Sequence, residues 1–390
     1  METKIPVVII GGGTIAQSHA KCILASPSCT LEAIIDPFET GRALARETAV
    51  AHFESLESLL ESYMSTHRKS PELYLICVPS SLHVTVATNV LQKAAPKVLL
   101  VEKPFSTDYA SGAGLLALAQ EKNCKIAVGH HRRFHPRIAA AKEVVASGSL
   151  GQITALSSLW TCKKPDGYYT EAPWRASRSK GGGPVWTNLV HDVDVLAYLV
   201  GSRIIRLWAK STVRRREALI EESDLVEEGA AVMLEFENGV VGTLMLCDNV
   251  PSPYGWESAT GENPGIARNG PGSSLGFDAT VKDVGELDSY RLFGSHGTLS
   301  APDGVVWRYN RDEAGRLGKE VGWGVPLTRK VIGLQEGDPY ERQIEHLARV
   351  VAGSEEPVCP GEAGLAAVRV CEAIVEAIQA QGHGPIKLYA

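Results

Sequence analysis

Residues 7–36 read VVIIGGGTIAQSHAKCILASPSCTLEAIID. An apolar run meets Gly11-x-Gly13-x-x-Ala16, a helical pattern follows, and a second apolar run ends on Asp36. Strand, glycine turn, helix, strand and acid in that order are the grammar of a dinucleotide-binding half-domain. Gly11 permits the tight turn, Gly13 lets backbone approach a pyrophosphate, and Ala16 keeps strand and helix close. The amides of Thr14, Ile15 and the residues after them aim the positive end of a helix at phosphate oxygens. A carboxylate at position 36 accepts hydrogen bonds from the adenosine ribose hydroxyls and repels a 2′-phosphate, so NAD is expected over NADP. A second reading has Asp36 cap a helix beginning near Pro37. Arg42 and Arg46 lie further along as cations for a phosphate, which keeps NADP open.

Outward from this unit the alternation continues. FESLESLLESYM is an amphipathic helix, ELYLICVPS a buried strand, HVTVATNVLQKAA a helix, KVLLVEKP a strand, ASGAGLLALAQEKN a helix and CKIAVGHH a strand. Apolar strands alternating with helices predict a doubly wound parallel α/β sheet. The pattern changes near Gly129, giving an expected Rossmann domain over 1–128 and a second, α+β domain over 129–390 for substrate binding and oligomerisation. That later part opens with a helix, RIAAAKEVVASGSLG, then turns to strands, ITALSSLWTC, AVMLEFENGVVGTLMLC and YRLFGSHGTLSAPDG, predicting an open, mostly antiparallel sheet. Asn238-Gly239 between two β-rich runs predicts a hairpin turn with two positive φ angles. Residues 251–286, rich in Gly, Pro, Ser and Asn, interrupt the sheet as a long loop, with Trp256-Glu257 and Glu262-Asn263 candidates for a lid. Two amphipathic helices, DPYERQIEHLARVVAG and AGLAAVRVCEAIVEAIQAQG, and a short strand, IKLY, end the chain.

The chain has 390 residues, 44% of them hydrophobic and 22% charged, the composition of an ordinary globular protein of two domains. A net charge of −6, with no basic run interleaved with aromatics, gives no footprint for nucleic acid or an anionic membrane. METKIPVVII enters the first strand at once, and a cytoplasmic location is expected. Eight cysteines are scattered without a C-x-x-C pair and read as buried thiols; no metal site is expected.

Three features together resemble the Gfo/Idh/MocA family of oxidoreductases: the nucleotide loop, Glu102-Lys103-Pro104 after a strand, and Gly181-Gly182-Gly183 followed by His191-x-x-Asp194. The Val78-Pro79…His83 turn and the Arg132-Arg133-Phe134-x-Pro136 segment fit the same pattern, which covers almost the whole chain. The resemblance implies reversible hydride transfer between a nicotinamide cofactor and a sugar, sugar acid, inositol or polyol. It also implies a homodimer or homotetramer assembled through the C-terminal sheet. Pro79, His83, Glu102 and Lys103 join Gly11, Gly13, Thr14, Ile15 and Asp36 as cofactor contacts.

The chemistry of such a reaction needs a group that removes the hydroxyl proton and a cation that stabilises the developing alkoxide. Lys103, expected at the carboxyl edge of the sheet where ligands of open α/β folds bind, suits the second need. His191 suits the first, because an ordinary imidazole titrates near neutrality. Many family members carry an aspartate four residues before this histidine; here that position is Thr187, followed by Asn188. Three readings fill the gap: His191 works with Lys103 alone, Asn188 positions substrate, or Asp192 orients the imidazole. His131, Arg132, Tyr168, Trp174 and Arg175, with Asn188 and His191, are the candidate substrate contacts; for Arg132 and Arg133 an interdomain salt bridge is the competing role. Two rivals remain: an enzyme that uses bound NAD transiently in lyase or glycosidase chemistry, and a redox-inactive dinucleotide sensor.

Overall fold

The apolar runs of the N-terminal segment become six strands: β1 (Ile5–Ile10), β2 (Cys29–Ile35), β3 (Ala51–Phe53), β4 (Leu73–Ile76), β5 (Val98–Val101) and β6 (Lys125–Val128). They lie in the order β3-β2-β1-β4-β5-β6, and every neighbouring pair is parallel. Strands β4 and β5 are buried along their whole length, which is why they read as unbroken apolar runs rather than alternating ones. The strand order reverses between β1 and β4, and such a switch point opens a crevice at the carboxyl ends of the strands.

This computed structural model describes residues 4–216, 224–263, 266, 287–333 and 335–389. The chain separates into two compact units, Met1–His135 with Gly337–Arg369, and Pro136–Glu336 with Val370–Ala390. The first holds the parallel sheet. Its late segment supplies the helix Pro339–Val351, whose apolar face, including Ile344, Leu347, Ala348 and Val351, joins Val7, Ala20, Ile23 and Leu31 in one core cluster.

Among the described residues the second unit has nine further strands: β7 (Ile153–Thr161), β8 (Ile204–Ser211), β9 (Gly229–Phe236), β10 (Val241–Cys247), β11 (Tyr290–Gly294), β12 (Thr298–Ala301), β13 (Val305–Tyr309), β14 (Leu327–Val331) and β15 (Ile386–Lys387). Their order is β14-β13-β12-β11-β7-β10-β9-β8-β15, an open sheet of antiparallel pairs with one exception, since β7 and β10 run parallel at its centre. The strands β9 and β10 alternate buried and exposed residues, the mark of a sheet with one covered face.

The hairpin between β9 and β10 corrects one expectation. Only Gly239 has positive φ, at 86°. The loop is three residues, Glu237 to Gly239, closed by Phe236 N donating to Val240 O at 2.9 Å. Three-residue hairpins ending on a left-handed glycine are the next most common solution after the two-residue turn. The preceding loop enforces it here: Arg203 O accepts from Glu237 N and Ser202 Oγ from Asn238 N. Residues 264–265 and 267–286 of the 251–286 loop lie outside the described residues. Trp256 and Glu257 are buried; Trp256 stacks on Tyr290, and Glu257 accepts the Trp160 indole N–H at 2.8 Å. These two residues are packed against the sheet, not poised over a pocket. Seven of the cysteines are buried and Cys162 half-buried. Among the described residues no helix is long and apolar enough to cross a membrane.

Candidate active site

In the first unit the glycine loop joins β1 to the helix Thr14–Ala25. Gly11 has φ 108°, and a Cβ there would stand 2.3 Å from Cys77 O, so neither the turn nor the contact with the residue after β4 admits a side chain. Gly13 is the N-cap of the helix, no side chain caps it, and a Cβ on Gly13 would meet nothing within 4 Å. The first amides of this helix therefore face open space, which is the cradle a pyrophosphate requires. Gly13 and Thr14 are exposed and Ile15 half-buried.

Asp36 stands at the end of β2, and its Oδ1 accepts from Phe38 N at 2.7 Å. The next helix, Glu39–Thr48, has Phe38 as N-cap and no side-chain cap, so Asp36 does not cap it. The second carboxylate oxygen of Asp36 has no hydrogen-bond partner among the described residues and is available to a ribose. Arg42 pairs with Glu39 and Glu54, and Arg46 with Glu39, which commits both cations to carboxylates. The loop therefore fits NAD by geometry and by charge.

Pro79 is exposed and opens the 3₁₀ turn Ser80–Leu82 beyond β4. His83 is buried, with Nδ1 2.8 Å from Pro104 O and Nε2 2.9 Å from Val78 O. Burial pushes its pKa down despite these two carbonyls. The ring spans the loops after β4 and β5 and holds them together. Glu102, directly after β5, is buried and accepts from His19 at 2.7 Å, while Lys103 N donates to its other oxygen at 3.2 Å. Burial opposes ionisation of Glu102, but the His19 hydrogen bond and the charges of His19, Lys103 and His131 outweigh it and hold the carboxyl below its usual range. Lys103 itself is half-buried, one residue beyond this anchored glutamate, at the carboxyl edge of the sheet. His131 and Arg132 are buried; the His131 ring stacks on Tyr340 at 4.3 Å, and Arg133 donates to Val358 O at 2.7 Å.

In the second unit the catalytic candidates sit where the π-helical turn Val185–Leu189 feeds the helix Val190–Val200. A π-turn shifts the register of the residues after it and recurs at functional sites. His191 is buried. Thr187 Oγ1 is 2.9 Å from both Gly183 O and Asn188 Oδ1. Lys164, on the segment leaving β7, donates to the same Asn188 oxygen at 2.7 Å. Asn188 thus spends its carbonyl on Lys164 and presents its amide as a donor, a positioning group rather than a base. Asp192 Oδ1 accepts from Tyr290 OH at 2.6 Å, and Asp194 is buried. Lys164 also lies over the Tyr168 ring at 4.7 Å, and Arg175 covers the same ring at 4.0 Å while donating to Tyr168 O at 2.8 Å. Trp174 is exposed beside them. The fold therefore gathers Tyr168, Arg175 and Asn188 around Lys164. Burial lowers the Lys164 pKa, partly offset by Asp248.

Glu227, which sequence reading passed over, is buried behind the glycine triplet and accepts from Val185 N at 3.1 Å. Burial raises its pKa to about 7, above what its hydrogen bonds and Arg178 recover. An acid whose pKa is higher in the folded state costs nothing below its unfolded value and destabilises increasingly as pH rises to the folded one. Glu227→Gln should therefore melt close to wild type at pH 5 and several degrees above it at pH 8, by calorimetry or circular dichroism. A constant difference across that range would show the carboxyl to be ionised in the folded state.

The glycine loop, the open helix terminus and the Asp36 carboxylate, on a parallel sheet of six strands, define a dinucleotide-binding protein. Residues 5–130 match the oxidoreductase family with an NAD-binding Rossmann fold, and residues 138–300 the GFO/IDH/MocA C-terminal domain. The chain belongs to the Gfo/Idh/MocA family and is an NAD-binding oxidoreductase of that class. It is 27% identical over 281 residues to an inositol 2-dehydrogenase of Corynebacterium glutamicum, covering 70% of this chain and 76% of that one. The fold matches the WlbA dehydrogenase of Bordetella pertussis, solved with NADH and UDP-GlcNAcA, at a TM-score of 0.69 and 19% identity over the whole of both chains. An Agrobacterium radiobacter oxidoreductase, solved with NAD+, L-tartaric acid and magnesium, matches at 0.72 and 13% identity over 99% of each.

Proposed function

We propose that the protein is a dehydrogenase acting on a secondary alcohol or ketone of a sugar, sugar acid, inositol or polyol, with Lys103 and His191 serving the reacting oxygen. The observation that carries this is Lys103 at the carboxyl edge of the same sheet whose switch point holds the dinucleotide cradle. When bound, NAD supplies the hydride acceptor. Lys103 holds its ammonium against the substrate oxygen, favouring the charge that grows there on deprotonation. His191 takes the hydroxyl proton in oxidation and returns it in reduction. Asn188 donates to substrate through its amide, and Trp174 offers an apolar face to a sugar ring. That two of the relatives named above are dehydrogenases, of an inositol and by name of WlbA, supports the substrate class.

The test is the near-ultraviolet absorbance of reduced nicotinamide with NAD or NADP against aldoses, sugar acids, inositols and polyols, with His191→Ala as control. Reduction that needs His191 supports the dehydrogenase. Tight dinucleotide binding with no reduction across the panel favours the sensor or the redox-neutral enzyme. Asp36→Ala should weaken NAD by about tenfold to a hundredfold, the loss of charged hydrogen bonds to a ribose, and leave NADP nearly unaffected. Equal losses for both cofactors would remove Asp36 from the ribose.

The homo-oligomer expected of this chain has its support on the second sheet. Val241, Ala155, Phe293, Thr298 and Trp307 align across five strands in register. Val241, Phe293 and Trp307 of that row are exposed, as are Met233 and Met245 beside it. An apolar row of this extent marks an interaction surface, and we assign it to a second copy of the chain. Sedimentation equilibrium at monomer mass would remove the assignment.

A further inference from the structure

A second feature of the later unit has no part in the chemistry above. Beyond β7 and β10 lies a cavity of about 500 Å³ lined by Lys163, Lys164, Arg215, Arg216, Tyr169 and Asn249, among others. Its size is that of a small-molecule pocket. Its charge is layered. On the inner wall Arg216 bonds Asp248 Oδ1 at 2.7 Å and stands 3.6 Å from Glu228, while Lys164 stands 3.6 Å from Asp248 Oδ2. Two buried carboxylates thus balance two cations, and Tyr169 OH donates to Asp248 beneath them. Among the described residues the mouth is cationic. Lys163 and Arg215 are exposed, and among the described residues neither has a carboxylate within 4 Å; Asp166 is the acid among the described lining residues. The main chain at this point is held, since the backbone N–H groups of Arg215 and Arg216 both donate to Glu228, at 3.0 and 2.9 Å. Two cations at the mouth, over a wall whose own charges are neutralised, offer a seat for an anion.

The pocket touches the catalytic segment through one residue. Lys164 lines the cavity and also donates to Asn188, three residues before His191. We infer that this pocket receives an anionic substituent of the substrate, a carboxylate or phosphoryl group, while the reacting carbon lies toward Asn188. The inference rests on the dehydrogenase reading for the identity of the ligand, but not for the existence of the seat. It narrows the substrate class to sugar acids or sugar phosphates.

Calorimetric titration of the NAD-saturated full-length protein with D-glucose, D-glucuronate and D-glucose 6-phosphate tests it. At least one charged sugar should bind about tenfold or more tightly than glucose. In Lys163→Ala/Arg215→Ala, both side chains being exposed, that advantage should fall to near unity. Glucuronate and glucose 6-phosphate distinguish the two anion sources. Equal affinity for all three sugars, no measurable binding of either charged sugar, or a preference untouched in the double variant would overturn the inference. The dehydrogenase reading fails separately: a neutral polyol oxidised with NAD and no anion preference removes only the seat. An anion preference lost in the double variant, with no nicotinamide reduction, removes only the hydride chemistry.

Discussion

Lys103→Met is expected to lower kcat by about 10²- to 10³-fold while NAD still binds with near wild-type affinity. Methionine keeps the length and apolar stem of the side chain and removes only the ammonium, so the loss reports the charge presented to the reacting oxygen. The fold should tolerate the change, because the segment is anchored by its neighbours. Glu102 is tied to His19, and His83 spans the loops after β4 and β5. The cradle at Gly13 follows β1 and the Asp36 carboxylate follows β2, both on other strands than the β5 that precedes Lys103. Fluorescence titration with NADH and steady-state rates on one protein sample separate the two quantities. Near-normal turnover would remove Lys103 from the chemistry, and equal loss of binding and turnover would make it a cofactor contact alone.

How much of this was legible in the sequence follows from the range of the forces involved. The parallel sheet was, because strands buried on both faces must be apolar throughout and the glycine loop fixes its own geometry within six residues. The mixed character of the second sheet was not, since alternation shows which residues face inward but not which strand lies alongside. β7 and β10 run parallel with about eighty residues between them, a separation visible only in the register, Val241 opposite Ala155. The helix Pro339–Val351 likewise announces its apolar face, and only the fold shows that Val7 and Leu31 cover it. At Asn238-Gly239 the local signal pointed to a two-residue turn, and the amides claimed by Ser202 and Arg203 decided otherwise.

The candidate site divides along the same line. Lys103, His191 and the glycine loop stand out because each belongs to a short motif whose spacing carries its meaning. His19, Glu227 and Asp248 do not. Each acts through a partner distant in the chain: Glu102 for His19, Val185 for Glu227, and Arg216 and Tyr169 for Asp248. A histidine one turn into the dinucleotide helix is an ordinary helix residue until the strand carrying Glu102 is placed beside it. Thr187 is instructive in the other direction. Its position invited a search for a substitute carboxylate, whereas the structure turns it to Gly183 O and Asn188 and sets Lys164 on that asparagine. What replaces an acid in this turn is a donor network, and the proposed function accordingly gives the proton to His191.

That assignment makes His191→Ala the second large expected effect, a fall in kcat for alcohol oxidation of about 10²- to 10⁴-fold, the span of a positioned acid or base. The rate alone would not identify the role, because His191 is buried at the head of a helix whose Val190, Val193 and Leu196 are fully packed, and a truncation there also leaves a cavity. The pH profile does. A base that must be neutral to accept the hydroxyl proton gives oxidation rates that fall on the acid side as the imidazole is protonated, and reduction rates with the opposite dependence, since there the protonated ring is the donor. In the alanine variant both limbs should vanish, and imidazole added to the assay should restore part of the rate by filling the space. A variant that keeps the acid limb would place the base on another group, with Lys164, whose pKa burial lowers, the first to be replaced. A variant that loses the limb but not the rate would show that the hydroxyl proton leaves by a route that does not pass through His191.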